Sequence, residues 1–409
     1  MNILLIHQYY LEKEDGGGSR FNEMTKSWVA AGHTVTVLAG MVHYSTGKKG
    51  PRYKARYFYK DDYAEGITVW RTHVSEVYNV NFLGRLWAYF SFVFSSTWAG
   101  LFKVKGEFDA VVVTSPPLFV GITAYILAKV KRLPFVFEIR DLWPESAIDT
   151  GVLQNGLIIK MAYAFERFIY KKATKINVLT PAFKRTLIEK KQIPKEKVSY
   201  IPNAADFTLS ENLLQNFDHV AFREELGFTS SFVITYVGAH GIANHLIQLI
   251  DAAELLQDTN VVFQLIGAGM EKQLLVDEVK ERQLKNVIFR DPVAKSEVFK
   301  YILASDMGAS VLKRVDTFKT IYSNKTFDYM ACKKPILMGI EGISKELIEE
   351  ADCGICVIPE DAADYNRKIR AFLLQDNRES LGQNGYDFAK AHFDRSVLAN
   401  KYLTLIKSL

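Results

Sequence analysis

The stretch Phe318–Ala331 holds the densest chemistry in the chain. A polar loop with Thr320, Ser323 and Asn324 runs into a helical pattern. Lys319 precedes it, Lys325 opens its first turn, and Asp328 lies one turn on, on the same face. N–H groups at a helix start, together with a lysine, can hold a diphosphate. A carboxylate beyond them can take two ribose hydroxyls. A cap by Ser323 or Asn324 with a Lys325–Asp328 pair uses the same residues structurally, and the spacing leaves both readings open. Gly238-Ala-His240-Gly241 and Gly267-Ala-Gly269 each follow an apolar run and precede a helical one. The second lacks the third glycine of a dinucleotide fingerprint, which argues against a nicotinamide dehydrogenase. It reads as a close approach of backbone to a ligand.

Nearer the start, Gly16, Gly17 and Gly18 lead to Arg20 and a helix. That pattern suits an anion-holding loop with a fixed positive charge, or a flexible turn. Arg140 and Asp141 sit with Trp143, Glu145 and Ser146 at the end of an apolar run, where buried charges need partners. They read as site residues or as an Arg–carboxylate knot. Asp61-Asp62 lies among basic residues and reads as a solvated turn, not a metal motif. Cys353 and Cys356 have CxxC spacing without a second pair, so they read as small apolar residues of a strand. No required metal or cofactor is expected.

These loops need a scaffold, and the pattern supplies one. Buried-strand runs at Ile3–Ile6, Thr34–Leu38, Ala110–Val113, Phe135–Phe137 and Ile176–Leu179 alternate with helical stretches. The alternation stops near Ile201-Pro202-Asn203. Residues 204–231 read as a linker with one helical piece around Val220–Leu226. Strand runs resume at Val233–Val237, Val261–Ile266, Val287–Phe289, Met307–Val311 and Pro335–Met338. Two parallel-sheet α/β halves follow, each with a ligand crevice outside the strand carboxyl ends.

Composition narrows the class. In 409 residues, 48% hydrophobic and 24% charged residues describe a globular protein. A net charge of +5 is too small to argue for nucleic acid and suits a phosphate-bearing partner. Three cysteines fit a reducing cytoplasm. The N-terminus enters a strand pattern directly, with no leader expected. Lys48, Lys49, Arg52, Lys54, Arg56 and Lys60 are interleaved with Tyr53, Tyr57, Phe58 and Tyr59. Asn81–Phe102 carries one charge, Arg85, and reads as a buried or interfacial helix. Together they suggest peripheral docking at an anionic leaflet.

Taken in order, these motifs resemble the retaining glycosyltransferases of family four, and most of all the WbuB-like branch that acts on bacterial surface polysaccharides. The motifs are the Gly16–Arg20 loop, Thr114-Ser-Pro-Pro117, Arg140–Ser146, Val198–Asn203, Gly267-Ala-Gly269 and Lys325–Ala331. The resemblance spans nearly the whole chain. It implies a GT-B fold: two Rossmann-like domains facing across a cleft. Acceptor binding falls to 1–203 and nucleotide-sugar binding to 232–392, with a C-terminal helix at 393–409 crossing back. It implies that Lys325 and Lys319 serve the donor diphosphate, that Asp328 serves the ribose, and that Arg140 stands where many members carry His. It further implies a UDP-sugar (GDP the alternative), an acetamido sugar, a polyprenyl diphosphate-linked acceptor at the inner face of the cytoplasmic membrane, and same-face attack without a metal. The chain departs from the broader family at Thr320 and Asp328, both usually Glu. Two other readings stay open: a non-catalytic nucleotide-sugar-binding component, and a GT-B sugar-nucleotide epimerase.

Overall fold

The computed structural model describes residues 1–13, 20–43, 47–78, 82–149, 151 and 153–409. It divides into two α/β units, Met1–Pro202 with Ser396–Leu409, and Asn203–Arg395.

The first unit holds β1 (Asn2–Ile6), β2 (Thr34–Gly40), β3 (Phe58–Ala64), β4 (Ile67–Thr72), β5 (Ala110–Ser115), β6 (Phe135–Ile139), β7 (Lys175–Val178) and β8 (Val198–Tyr200). Its helices are α1 (Arg20–Ala30), α2 (Phe82–Phe102), α3 (Val120–Lys131), α4 (Glu145–Asp149), α5 (Gly156–Lys172) and α6 (Pro181–Arg185). The sheet order is β3-β4-β2-β1-β5-β6-β7-β8. All neighbours are parallel except β3 and β4. Ile3–Ile6 and Val111–Val113 are fully buried, which is why they read as uninterrupted apolar runs.

The second unit holds α7 (Phe207–Asn216), α8 (His219–Glu225), β9 (Phe232–Val237), α9 (Ile247–Leu255), β10 (Val261–Ile266), α10 (Lys272–Glu281), β11 (Val287–Arg290) and α11 (Lys295–Leu303). It continues with β12 (Met307–Val311), α12 (Asn324–Ala331), β13 (Ile336–Gly339), α13 (Ile343–Ala351), β14 (Gly354–Cys356), α14 (Ala362–Leu373) and α15 (Arg378–His392). Its sheet runs β11-β10-β9-β12-β13-β14, wholly parallel.

Two features differ from the sequence reading. Residues 204–231 are no bare linker: Asp206 and Asp218 cap α7 and α8, which belong to the second unit. Asp61-Asp62 lies in strand β3, not a turn, with Asp61 paired to Arg52 at 3.2 Å and Asp62 to Lys60 at 3.2 Å. The last helix, α16 (Arg395–Lys407), packs in the first unit. There Trp28 Nε1 donates to Ala399 O at 3.1 Å, and Tyr402 lies 5.5 Å from the Trp28 ring and 5.9 Å from Phe21.

Candidate functional site

Helix α12 is pinned by its inward face. Tyr329 Oη donates to Ala309 O at 3.1 Å and accepts from Val237 N at 3.1 Å. Gly308 leaves room for that ring, since a Cβ there would lie 2.3 Å from it. Thr326 Oγ1 donates to Ser310 Oγ at 3.1 Å. The helix start is thereby fixed at the carboxyl ends of β9 and β12. Lys325, one turn before Tyr329, is half-buried there. Its Nζ lies 4.6 Å from the centroid of the Tyr236 ring, a cation–π contact. It lies 3.5 Å from Ser323 Oγ. Among the described residues no carboxylate comes within ion-pair distance of it, and burial alone pushes the ammonium down to about 8. A lysine still charged at neutral pH, without an acid, beside a strand-end glycine, is an anion-binding group. Tyr236 gave no signal in the sequence beyond being apolar.

The glycine loops build the wall next to it. Gly238 has φ +144° and Gly267 φ +150°, a region open to glycine. A Cβ on Gly267 would fall 1.9 Å from Gly238 O, and one on Gly269 2.2 Å from His240 O. The loops are stitched by His240 N donating to Ala268 O at 2.9 Å and Glu271 N to His240 O at 3.0 Å. So the close approach expected of a ligand at Gly267 and Gly269 is the approach of one loop to the other. Gly241 has open space where a Cβ would be. His240 is fully buried near Tyr236 and Phe289, and among the described residues neither ring nitrogen has a partner. Burial, then the charge of Lys272, lowers it to about 4.

The other expected donor residues fare differently. Ser323 stands at the N-cap position, but its hydroxyl caps no helix N–H. Asn324 is exposed, and its Oδ1 accepts from Asn203 Nδ2 at 2.5 Å. Thr320 donates to Thr317 O at 2.7 Å. Lys319 is not at the Lys325 position: it pairs with Asp316 at 2.8 Å and Glu341 at 3.5 Å. Asp328 makes no pair with Lys325. It faces Lys295 at 4.0 Å, beside an Asp206 held by Lys295 and Arg395 at 3.1 Å each. Burial raises its carboxyl, against the opposing charge of Lys295.

In the first unit, Gly16, Gly17 and Gly18 lie outside the described residues. Arg20 is described, and it is spent internally. Its Nε donates to both oxygens of the fully buried Glu138, at 3.2 and 3.3 Å. Its other nitrogens donate to Ile201 O at 2.7 Å and to Pro202 O. Asn177 Nδ2 adds a bond to Glu138 at 2.9 Å. The expectation of an anion-facing Arg20 is corrected by this network. Its signal was the lone acid in the apolar run Phe135–Ile139. Arg140 is half-buried, close enough to His7 for its charge to hold that imidazole low, second to burial. Asp141 accepts from Ser146 Oγ at 2.6 Å and is raised by burial. Glu145 pairs with Lys191 at 2.6 Å, tying the loop down.

A small recess of about 20 Å³ opens past the end of β1, lined by Gln8, Tyr9, His43, Val74 and Tyr78 among others. Gln8 is 2% exposed, and among the described residues neither its Nε2 nor its Oε1 has a partner. The basic-aromatic stretch nearby is partly engaged in the fold, though Lys48, Arg52, Lys54, Arg56 and Lys60 are exposed. Lys49 meets His73 Nδ1 at 2.7 Å, Arg52 also pairs with Glu12 at 3.0 Å, and Arg56 lies over Tyr59 at 5.1 Å. Cys332, Cys353 and Cys356 are free thiols, the first two buried.

Known proteins match this chain over its length. Residues 15–204 match the family described as glycosyl transferase 4-like domain, and residues 219–388 that described as glycosyl transferases group 1. The Escherichia coli K12 protein named "Putative colanic acid biosynthesis glycosyl transferase WcaI" is 23% identical over 414 residues, covering 100% of both chains. The structure of Anabaena HepE in complex with UDP-glucose superposes with a TM-score of 0.71 at 17% identity, covering 100% of both chains. That of WaaG, a glycosyltransferase involved in lipopolysaccharide biosynthesis, gives 0.72 at 15%, covering 99% of both. At such identities these structures establish the fold, which is GT-B.

Proposed function

The chain belongs to the glycosyltransferases that pair a 4-like domain with a group 1 domain, and from that premise we propose the reaction it performs. It moves a sugar, an acetamido sugar by the resemblance of its motifs, from a UDP-sugar to a polyprenyl diphosphate-linked saccharide. The product serves bacterial surface-polysaccharide assembly, at the inner face of the cytoplasmic membrane. The observation that carries the reading is Lys325, an ammonium on the Tyr236 face with no carboxylate partner among the described residues. Similar proteins support it: HepE forms complexes with UDP and UDP-glucose, and WcaI carries a name from colanic acid biosynthesis.

The chemistry follows from charge. The bond from the sugar C1 to the UDP oxygen breaks, and negative charge grows on the leaving diphosphate. A preorganised positive group there lowers the barrier, and one good donor to developing charge contributes about 100–1000-fold in rate. Lys325 is that group. The acceptor hydroxyl attacks C1 from the face the diphosphate leaves, which retains configuration, and its proton passes to a donor phosphate oxygen. No metal enters this scheme.

The test is UDP release by the purified protein in EDTA, over UDP- and GDP-sugars, with and without polyprenyl diphosphate-saccharide. Release that requires one donor and the lipid acceptor together is expected. Binding without release under every pairing, metal included, would instead identify a non-catalytic component. Donor isomerisation without acceptor would identify an epimerase.

A further inference from the structure

The first unit carries an apolar surface that its own fold does not cover. On α2, Leu83, Trp87, Phe94, Trp98 and Phe102 are 54–73% exposed. Their spacing puts them on one face of the helix. The opposite face, including Ala88, Phe92, Ser95, Ser96 and Ala99, is buried. Helix α3 lies alongside and parallel: Phe90 meets Phe119 at 4.8 Å, Ser96 meets Thr123 at 3.1 Å, and Gly100 leaves room for Leu127. Helix α5 continues the layer, with Phe119 against Phe165 at 5.6 Å and Tyr125 against Phe168 at 5.1 Å. It adds the exposed Leu157, Met161 and Phe168. Among the described residues, every exposed tryptophan and phenylalanine lies on α2 or α5. So contiguous an apolar surface marks an interaction site.

Charge says what covers it. The sequence has no acid from Val77 to Gly106, nor from Ala110 to Phe137. Because the three helices run parallel, their ends gather cations on one side. Lys103 and Lys105 follow α2, Lys129 and Lys131 close α3, and Lys171 and Lys172 close α5. Lys172 lies over the Tyr125 and Phe168 rings at 5.8 and 5.9 Å, with its alkyl stem along the apolar surface. Tryptophan and phenylalanine beside a lysine rim match the acyl–headgroup boundary of an anionic leaflet. Among the described residues no helix is long and apolar enough to cross a membrane, so α2 would lie in the interface plane.

We infer that the α2–α3–α5 face is the membrane-docking surface, with an anionic lipid bilayer as its occupant. This contact is separate from the 48–60 stretch, where Arg52 pairs with Glu12 and Asp61, and Lys60 with Asp62. It deepens the membrane-facing part of the reading above, and it is tested without donor or acceptor so that the two can fail separately.

The experiment is flotation of the full chain with vesicles of phosphatidylethanolamine and phosphatidylglycerol, against phosphatidylcholine alone. Binding to the anionic vesicles is expected, with Trp87 and Trp98 quenched by bromine-labelled acyl chains. The triple variant Trp87→Ser, Phe94→Ser, Trp98→Ser should lose at least tenfold in partitioning while keeping the circular dichroism spectrum and thermal-unfolding midpoint of the wild type, which check its fold. Should that variant fail to fold, the double variant Lys129→Glu, Lys131→Glu should weaken anionic binding by at least threefold. Wild-type protein that stays with the buffer overturns the inference. So do variants that float as the wild type does, or a wild-type dimer that the triple variant turns monomeric.

Discussion

Arg20 and Lys325 occupy the same place in two halves of one molecule. Each is a cation in the first turn of a helix that follows a polar loop, and in the sequence they look alike. Their surroundings differ in kind. Arg20 is held by the buried Glu138 and two carbonyl groups, and serves the fold. Lys325 rests on an aromatic face, its nearest polar contact a hydroxyl at 3.5 Å, and its ammonium is destabilised by burial. A cation is an anion site when the fold leaves its charge uncompensated. Position at a helix start does not decide that.

Substitutions should separate the two roles, and the largest effect is expected on the structural side. Glu138→Ala leaves the buried Arg20 unpaired, and should lower unfolding free energy by about 3–5 kcal/mol. Urea titration measures it, and UDP affinity of the folded fraction should persist. Lys325→Ala should do the reverse: turnover falls about 100–1000-fold while the urea midpoint holds. Loss of stability without loss of turnover there would erase the contrast.

A third expectation concerns the wall beside Lys325. The buried His240 titrates at about 4 when folded, below the ordinary value of about 6.5. Between those values the unfolded chain takes a proton that the fold refuses. Stability should therefore fall as pH drops from about 6.5 toward 4, by at most about 3 kcal/mol from this residue. His7, also held low, adds the same sign. His240→Gln should flatten part of the slope in thermal unfolding from pH 7.5 to 4.5. The smallest effect belongs to Lys319, exposed and already paired with Asp316 and Glu341. Lys319→Ala should leave turnover within about fivefold of wild type, as loss of a surface pair does.

Most sheet strands of both units were legible because parallel strands buried on both faces are written as apolar runs. The β3–β4 edge was not, because an antiparallel edge strand such as Phe58-Tyr-Lys-Asp-Asp-Tyr-Ala64 is half solvated and reads as loop. The site was legible as a set of loops and not as a set of partners. Glycine at 267 and 269 signalled close approach, yet the sequence could not say that the neighbour is the Gly238–His240 loop. Likewise Arg20 meets an acid 118 residues away, and Gln8 has no local pattern that marks an unpartnered amide. Such facts arise only when distant segments are packed together.

The most direct test of the central claim is the affinity of UDP for the wild type and for Lys325→Arg, titrated calorimetrically from pH 7 to pH 9. Lys325 titrates at about 8 in the unliganded protein, so an ammonium that holds the diphosphate is lost as pH rises through that value. The account predicts about tenfold weaker binding at pH 9 in the wild type, and little change in Lys325→Arg, whose guanidinium stays charged. Equal pH dependence in both proteins, or none in the wild type, would contradict it.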